Sequence, residues 1–590
     1  MIEPLSSDIL VDLGGALLMT GARRRGARTL RRAVAIDPGS ASAIGNGASA
    51  AIELGSDEEG MRLVRRSIVI VPTQVAAHIN LGLIHQRRGA RDLATQSFGL
   101  ALELDVESIA ARVGLSRIAR ETGQGSEARH LARTALALQP NDTKALDAFG
   151  EAVVAIGKLE EGIAAFRRAL AVEPGRQASG SNLLLCLSYS ASTTSASLFA
   201  AYQEWARRRS FAEAKPWRPQ RPAGESKRRL RVGYLSTDFY SHPVAYNVVG
   251  LIAAHDRQAV EVFCYAEEQR VDDVTRRLRR SADHWRRLNG SSDAAVIEEI
   301  RRDGLDVLVL LAGHTGNRIG VVAERCADVQ ITFHDISTTG LWTVDYWMTD
   351  AILHPSDSEE GMTERPLRLP SMMLHEPPAD APDPGPVPSS ETGIVRFGCF
   401  NNPVKLGPEV ARLWAEILGR VPNSRLVLRY KRLTDDPATR DHLVQVLGNA
   451  GIAESRIEFR SGTLERTGHL ALYREIDVAL DPFPFNGCTT TFEALWMGVP
   501  VVCLAGRRFI GRMGATMLPR VGLGDLVAAT PGEYADRAVA LAGEVGRRAA
   551  LRTSLRPRLQ ASVLCDKVAY ARSVEAAYRS VLAPAGGGKA

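Results

Sequence analysis

The sequence predicts a multidomain protein in which an all-α repeat array precedes a pair of α/β domains. With 590 residues the chain is too long for one hydrophobic core and should form about three or four domains. Small residues and prolines recur at a step of 34 residues through the first third of the chain. From residue 229 onward, short β-branched runs alternate with helical segments, which is typical of parallel sheets covered by helices on both faces.

Two positions of the 34-residue repeat unit recur clearly along the sequence. Small residues hold one place in five successive units: Gly26, Gly60, Ala94, Ala128 and Gly162. The unit ends with a proline, or with valine in one unit: Pro38, Pro72, Val106, Pro140 and Pro174. Small residues let paired helices approach closely, and a proline stops the second helix. The pattern resembles the tetratricopeptide repeat and predicts five units over residues 6–175.

An array of this kind stacks into a superhelix whose concave surface suits peptides. We therefore expect the repeats to bind a protein or peptide partner. The alternatives are a passive scaffold and a dimerisation arm, and a homo-oligomer is left open.

Changes of composition divide the rest of the chain. A Pro/Arg/Lys-rich run, KPWRPQRPAGESKRR, predicts a linker before the first α/β half, and PPADAPDPGPVPSSETG predicts another between the halves. The predicted divisions are a helical cap with its linker (176–225), a first α/β half (229–376), a linker (377–393), a second α/β half (394–531) and C-terminal helices (532–583).

Composition argues against several classes of protein. The net charge of +6 comes from scattered arginines and gives no indication of nucleic-acid binding. The chain has no run of 18 apolar residues and begins without a basic region followed by an apolar core, so we expect neither a membrane span nor a secretion signal. The seven cysteines include no C-x-x-C pair, which favours reduced thiols in the cytoplasm and disfavours a zinc site.

The stretch 481–500, DPFPFNGCTTTFEALWMGVP, carries the clearest indication of a ligand site. It is predicted to run from the end of a buried strand through a Pro/Asn/Gly turn into a helix that opens with Thr489, Thr490 and Thr491. A helix start with free N–H groups and hydroxyls is a natural seat for a phosphate. Glu493, about one turn later, could meet the hydroxyls of an attached ribose. The alternative is that the threonines merely cap the helix.

Polar side chains follow three further predicted strands. His242 precedes Pro243 in the loop of YLSTDFYSHP, and His314 and Thr315 follow the strand in VLVLLAGHTGN. The run FGCFNNPVKLG places Lys405 after a strand of the second half, where a lysine can neutralise a diphosphate. A surface histidine and a solvated lysine are the alternatives for His242 and Lys405.

Taken together, these segments resemble the O-linked N-acetylglucosamine transferases and their SPINDLY-like plant and bacterial relatives. The resemblance is sharpest in DFYSHP, LAGHT, FNNPVK, HLALYREIDVALDPFPFNGCTTT and EALWMGVPVVCLAGR. It implies a tetratricopeptide superhelix followed by a GT-B-type pair of Rossmann-like domains, with a UDP-sugar in the cleft against the second half.

The resemblance also assigns roles by position. Lys405 would hold the diphosphate, Thr489 and Thr490 the phosphates, and Glu493 the ribose. Thr491 is a further candidate substrate-binding residue. Asn402 would contact the nucleotide sugar, His469 the uracil, and Arg466 the base or a phosphate. His242 would lie near sugar and acceptor as a candidate general base, with His314 and Thr315 as substrate-binding residues and Asp303 as a candidate second carboxylate.

The implied reaction is an inverting transfer of N-acetylglucosamine from UDP-N-acetylglucosamine to Ser/Thr hydroxyls, with no metal or other cofactor. The alternatives are another donor (GDP-fucose or UDP-glucose), a non-protein acceptor, or a catalytically impaired repeat scaffold. Three features depart from the family pattern, one of which is the stretch LPSMMLHEPP. The run ITFHDISTTGLW replaces a glycine- and aromatic-rich loop near 333–340, and Cys488 replaces a histidine or threonine. We expect this acceptor-side loop to be shaped differently, because it lacks the glycines.

Overall fold

The chain folds as a helical repeat array followed by two parallel-sheet α/β halves, so the predicted fold class is confirmed. The computed structural model describes residues 6–20, 22–208, 228–268, 270–316, 318–431, 433–462 and 465–582. Most of the predicted linker within 176–225 lies outside the described residues, as does residue 583 at the end of the predicted C-terminal helices. No helix among the described residues is both long enough and apolar enough to span a lipid bilayer.

The array is built from helix pairs that repeat every 34 residues. Its helices are α1 (Ser7–Met19), α2 (Arg23–Ile36), α3 (Ala41–Glu53), α4 (Asp57–Ile70), α5 (Val75–Arg87), α6 (Arg91–Leu104), α7 (Ile109–Glu121), α8 (Gly125–Leu138), α9 (Thr143–Ala155), α10 (Leu159–Val172), α11 (Gln177–Tyr189) and α12 (Ser195–Arg208). Helix α11 still begins in register, whereas α12 begins two residues later than the step would place it. The predicted cap is therefore a sixth helix pair. It departs from the repeat only in the loop between its two helices, which is two residues longer than in the other pairs.

The turn within each of the middle pairs depends on a glycine. Gly55, Gly89, Gly123 and Gly157 recur at the repeat step, each with a positive φ between the two helices of its pair. Glycine reaches this left-handed conformation without the steric penalty of a side chain. The 34-residue spacing therefore determines the position of the turn as well as the packing of the helices.

The first α/β half holds seven parallel strands in the order β3-β2-β1-β4-β5-β6-β7. Its strands are β1 (Leu230–Ser236), β2 (Val260–Ala266), β3 (His284–Arg287), β4 (Val307–Leu311), β5 (Val329–Phe333), β6 (Tyr346–Asp350) and β7 (Arg365–Leu369). Its helices are α13 (Pro243–Ala254), α14 (Asp273–Ser281), α15 (Asp293–Asp303) and α16 (Ile319–Val322). The direction of winding reverses between β1 and β4, and ligands of such sheets bind outside the carboxyl ends of the strands at this point.

The second half holds six parallel strands in the order β10-β9-β8-β11-β12-β13. Its elements are α17 (Ser389–Thr392), β8 (Val395–Cys399), α18 (Pro408–Arg420), β9 (Ser424–Leu428), α19 (Pro437–Asn449), β10 (Ile457–Phe459), α20 (Arg466–Ala471), β11 (Val478–Leu480), α21 (Thr489–Trp496), β12 (Val501–Leu504), α22 (Met513–Met517), β13 (Val527–Ala528), α23 (Pro531–Gly543), α24 (Val545–Gln560) and α25 (Lys567–Leu582). Winding reverses between β8 and β11, so the loops after these two strands meet at the cleft.

The last helix crosses back to the first half. In α25, Glu575 accepts a 2.9 Å hydrogen bond from Nδ1 of His255, which follows α13. The hydroxyl of Tyr234 in β1 lies 2.7 Å from Nε2 of the same histidine. This buried chain of hydrogen bonds joins the end of the sequence to the sheet of the first half.

The repeat array touches both halves through its turns. The backbones of Gly55 and Gly290, in the array and the first half, lie so close that neither position has room for a side chain. The amide of Ser126 donates a 2.8 Å hydrogen bond to Asp436 of the second half. Asp436 also caps α19, because its other carboxylate oxygen accepts the amide of Thr439 at 3.0 Å. One carboxylate thus serves both a helix and the contact with the array.

Replacing Asp436 with alanine should destabilise the start of α19, because the helix loses its N-cap. The free energy of local unfolding there should fall by about 0.5–2 kcal/mol, the usual cost of this loss. Hydrogen exchange should show faster exchange at the amides of Ser126 and Thr439, since each loses its acceptor. The control is Asp441→Ala, which removes an exposed carboxylate from the same helix. Equal protection of both amides in the Asp436 variant and in the wild type would contradict this assignment.

Candidate active site

The candidate site lies where the loops after β8 and β11 face the first half. Lys405 closes the first loop in a short 3-10 turn, and α21 begins directly after the second loop. Nζ of Lys405 donates hydrogen bonds to Oδ1 of Asn401 at 3.2 Å and to the carbonyl of Asn486 at 2.8 Å. The hydroxyl of Thr490 donates to the same Asn401 oxygen at 3.1 Å. The structure therefore brings Lys405 and the threonine helix start into one network.

The charge of Lys405 is held in a largely neutral setting. Its hydrogen-bond partners are amide and carbonyl oxygens, and Nζ lies 4.2 Å from the centre of the Phe485 ring. Burial lowers the pKa of Lys405 to about 8, and the nearby Asp481 carboxylate opposes that shift. A desolvated ammonium of this kind interacts strongly with an anion that enters the cleft.

Asp481 fixes the turn before the helix. The side chain is buried at the end of β11, and Oδ1 accepts the amide of Gly487 at 2.6 Å. Burial raises the pKa of Asp481 to about 7. Asp481 is the first residue of the stretch 481–500, but no motif in the sequence assigned it a role. The only feature of the sequence that pointed to a role for Asp481 was its position at the end of a predicted strand.

The start of α21 is open. The N-cap is Cys488, which makes no side-chain capping bond, so the three threonines occupy the first helical positions and are not the cap. The amides of Thr489, Thr490 and Thr491 have no acceptor among the described residues. Unsatisfied first-turn amides and the helix dipole make an anion site. The simple capping interpretation is therefore wrong for this helix.

His469 and Glu493 form a pair on the second half. Nε2 of His469 lies 3.0 Å from a carboxylate oxygen of Glu493. Nδ1 of His469 accepts a hydrogen bond from Arg429 at 2.6 Å, which leaves Nε2 to donate to the carboxylate. Arg429 directly follows β9, and burial lowers its pKa. It lies outside every motif named above, so the sequence contained no indication of its role. The arrangement fixes the ring of His469 from both sides.

Arg466 and Asn402 lie in the same half. Arg466 begins α20, and its guanidinium lies 4.2 Å from the centre of the ring of Tyr246 in the first half. Two of its nitrogens are buried without a hydrogen-bond partner among the described residues, so they can serve a phosphate or a base. Asn402 caps the turn that carries Lys405, because its side chain accepts the amide of Val404 at 3.3 Å.

His242 faces this site from the first half. It caps α13 by accepting the amide of Val244 at Nδ1, 3.4 Å away, and lies 3.7 Å from a carboxylate oxygen of Asp238. Burial lowers the pKa of His242 to about 4, and the positive charges of Lys431 and Arg270 act in the same direction. Tyr246, one helical turn after His242, contacts Arg466 of the second half, so the start of α13 faces the cleft between the halves.

Three predicted residues are not brought into this network. His314 is buried, with Nε2 2.8 Å from the carbonyl of Thr339 and its ring 4.3 Å from that of Trp205 in α12. The exposed Thr315 donates its hydroxyl to the carbonyl of Ala312. Asp303 ends α15, before the amino end of β4.

The carboxylate of Asp303 binds Arg286 at 2.8 Å and accepts the hydroxyl of Tyr265 at 2.7 Å. The prediction of a second carboxylate on the sugar and acceptor side therefore fails, because Asp303 lies at the opposite edge of the sheet. An ion pair and a phenol hydrogen bond satisfy it there.

The atypical loop after β5 is held by buried polar contacts. Oxygens of Glu364 accept the hydroxyl of Thr338 at 2.6 Å and the amide of Thr339 at 2.7 Å. His334 adopts a φ of 55°, a conformation that costs energy in a residue other than glycine. The loop keeps a left-handed position without a glycine, and burial lowers the pKa of His334 to about 3.

No group of three or more His, Cys, Asp or Glu side chains among the described residues is arranged to hold a metal ion. The charge available in the cleft comes from Lys405, Arg466 and the start of α21. Together these groups can bind a diphosphate, with the His469–Glu493 pair beside it.

Comparisons with known proteins agree on one family. The model of glycosyl transferase family 41 matches residues 208–374 and 389–574, more than half of the chain. A tomato (Solanum lycopersicum) protein described as a probable UDP-N-acetylglucosamine–peptide N-acetylglucosaminyltransferase SPINDLY is 35% identical over 427 residues, 70% of this chain and 45% of the relative. The SEC protein of Arabidopsis thaliana, with the same enzyme description, is 30% identical over 60% of this chain and 37% of its own length.

A solved structure extends the likeness to the arrangement of the domains. A mutant O-GlcNAc transferase of Thermobaculum terrenum is 38% identical and covers 86% of this chain and 97% of its own, with a TM-score of 0.80. The chain spans about half the length of the curated relatives it matches. From the family model and these relatives together, the chain belongs to glycosyl transferase family 41.

Proposed function

We propose that the chain is an enzyme that transfers N-acetylglucosamine from UDP-N-acetylglucosamine to Ser/Thr hydroxyls of proteins. The observation that carries the proposal is the network of Lys405, Asn401 and Thr490 at the uncapped start of α21. It gives a diphosphate both a cation and free amides. The names of the relatives, which describe UDP-N-acetylglucosamine–peptide transferases, support the choice of donor and acceptor.

The donor would lie along the second half. Lys405 and the first-turn amides of α21 would hold the diphosphate, and Glu493 would accept the ribose hydroxyls with His469 beside the uracil. Arg466 would add charge near a phosphate or hydrogen bonds to the base. Charge develops on the diphosphate as it leaves, and preorganised groups stabilise it without reorganising in the reaction. We therefore propose a metal-independent reaction.

The acceptor would attack from the first half, opposite the leaving group. The acceptor oxygen forms a bond to the anomeric carbon, the bond from that carbon to the diphosphate oxygen breaks, and UDP keeps the electron pair. The configuration is inverted. The hydroxyl proton passes to a base, for which His242 is our candidate, because its low pKa leaves the imidazole neutral at pH 7.

The repeats would select the acceptor protein through their concave surface. We place the reaction in the cytoplasm, since all seven cysteines are unpaired thiols.

The test is a transfer assay with the purified chain and a library of Ser/Thr peptides. UDP-N-acetylglucosamine, UDP-glucose and GDP-fucose are offered separately, each with and without a chelator. We expect mass spectrometry to find one N-acetylglucosamine per modified hydroxyl, equally with chelator. Transfer of fucose or glucose alone would replace the proposed donor. Binding of UDP without transfer to any peptide would favour the impaired scaffold or a non-protein acceptor.

The pH dependence of kcat/KM should reflect the environment of His242. Because its folded pKa is lowered to about 4, the imidazole stays unprotonated at every pH above that value. Transfer should therefore keep its rate as the pH falls from about 7, where Lys405 is protonated, to about 5, and drop only near pH 4. A decline centred at about pH 6.5, the value of an unperturbed histidine, that disappears in His242→Asn would contradict the lowered pKa of His242. Wild-type kcat/KM in His242→Asn would remove this residue as the base.

A further inference from the structure

An aromatic residue of the repeat array lies next to the lysine of the transfer site. Tyr189 is the last residue of α11, and its ring stacks on that of Phe485 with centroids 4.8 Å apart and an interplanar angle of 22°. The ammonium of Lys405 lies 4.2 Å from the centroid of the same Phe485 ring. One phenyl ring therefore contacts both the array and the lysine.

The position of Tyr189 is fixed from the second half. The carbonyl of Ser190, the next residue, accepts a 3.3 Å hydrogen bond from the buried guanidinium of Arg508. Tyr189 keeps partial exposure to solvent, although it lies among enough protein atoms that burial raises the pKa of its hydroxyl. Tyr189 is thus surrounded by protein but still reached by solvent, as expected for a side chain in the wall of a cleft.

Hydrogen bonds fix the backbone next to Phe485, so the position of its ring depends on the contacts that the ring itself makes. The following residue, Asn486, is buried, with its amide donating to the carbonyl of Ile510 at 3.0 Å and its side chain to that of Pro482 at 3.0 Å. The carbonyl of Asn486 accepts from Lys405. The backbone therefore fixes the position from which the Phe485 side chain extends. The ring itself contacts Tyr189 and Lys405.

We propose that Tyr189 is a positioning residue of the transfer site, whose ring holds Phe485 against the Lys405 ammonium. The sixth helix pair of the array thus completes the diphosphate site. This inference rests on the proposed function, because it assigns Lys405 to the leaving diphosphate. Tyr189 acts through Phe485 and has no direct part in the reaction.

The physical basis is exclusion of water from the lysine. An ammonium over an aromatic face gains more when the contact is desolvated. The titratable groups that face Lys405 are Asp481, Cys399 and Cys488, and its remaining polar neighbours are the neutral Asn401 and Asn486. Removing the Tyr189 ring frees Phe485 and admits water, so the pKa of Lys405 should rise from about 8 toward its ordinary value.

The experiment compares Tyr189→Ala with Tyr189→Phe, which keeps the ring. Phe199→Ala is the matched control: this aromatic residue of α12 packs against Gly361 of the first half, away from Lys405. Calorimetry measures UDP binding from pH 6.5 to 10 for each variant. For the wild type, affinity should fall as pH rises through about 8, since Lys405 loses its proton there.

For Tyr189→Ala we expect UDP binding about fivefold to tenfold weaker at pH 7, with the alkaline fall moved to higher pH. Tyr189→Phe and Phe199→Ala should keep the affinity and the midpoint of the wild type. The proposal is overturned if Tyr189→Ala matches the wild type in both, or if Phe199→Ala shows the same losses. If the wild type binds UDP but transfers no sugar, the proposed function is rejected. The role of Tyr189 can still be tested in that case, because the experiment measures UDP affinity and not transfer.

Discussion

Replacing Lys405 with alanine should lower kcat for sugar transfer by about 10²- to 10³-fold, on the order of 3–4 kcal/mol of transition-state stabilisation. The lysine meets the start of α21 through Asn401, so its loss removes the cation from the point where, in the proposed reaction, the diphosphate gains charge. The hydrogen-bond partners of Lys405 are the side-chain oxygen of Asn401 and the carbonyl of Asn486, so alanine leaves no positive charge at this position. Steady-state kinetics at saturating donor measures the effect.

Lys567→Ala is the control for this substitution. It removes an exposed lysine from the start of α25 and should leave kcat unchanged. Circular dichroism would establish that the Lys405 variant keeps its fold. Wild-type kcat in a folded Lys405→Ala protein would remove this residue from the mechanism and with it the main support for the proposed leaving-group site.

Replacing Gly487 with alanine should weaken UDP binding by about tenfold to a hundredfold. A Cβ at this position would lie 2.8 Å from the hydroxyl oxygen of Thr491 and 2.9 Å from Oδ1 of Asp481, and it would also meet the hydroxyl of Thr490. Crowding of this kind costs about 1–3 kcal/mol, and relieving it must displace either the helix start or the aspartate that holds the turn. Calorimetric titration with UDP measures the loss.

The matched control is Gly448→Ala in α19 of the same half. No neighbouring atom would lie within 4 Å of the added Cβ, and alanine is the better helix former by about 1 kcal/mol. This variant should bind UDP like the wild type and be no less stable. If Gly487→Ala also binds UDP with wild-type affinity, the diphosphate does not use the start of α21.

The parts of the fold with a sequence period could be predicted almost completely. A step of 34 residues fixes helix length, turn and pairing at once, so the array follows from spacing alone. The candidate site was predictable where a local motif carries its own geometry. Strand, turn and threonine-rich helix start are contiguous in 481–500, and Lys405 follows directly after a strand of the same sheet.

Residues whose role depends on distant contacts could not be predicted in this way. Arg429 orients His469, and Tyr189 meets Phe485 across nearly 300 positions of sequence, with no local pattern that marks either contact. His314 shows the converse. Its place after a strand predicted a side chain at the ligand edge, but the side chain turns toward Trp205 of α12. Sequence order gives the edge of a sheet and leaves the direction of a side chain undetermined.

The contacts of the array with both halves bear on how the cleft can change width. Gly55 touches the first half and Ser126 the second, so the helix pairs between them bridge the two halves outside the cleft. Separating the halves must either break one of these contacts or extend the bridging pairs. A change in the angle between the two α/β halves would therefore have to change the curvature of the array between these two contacts as well.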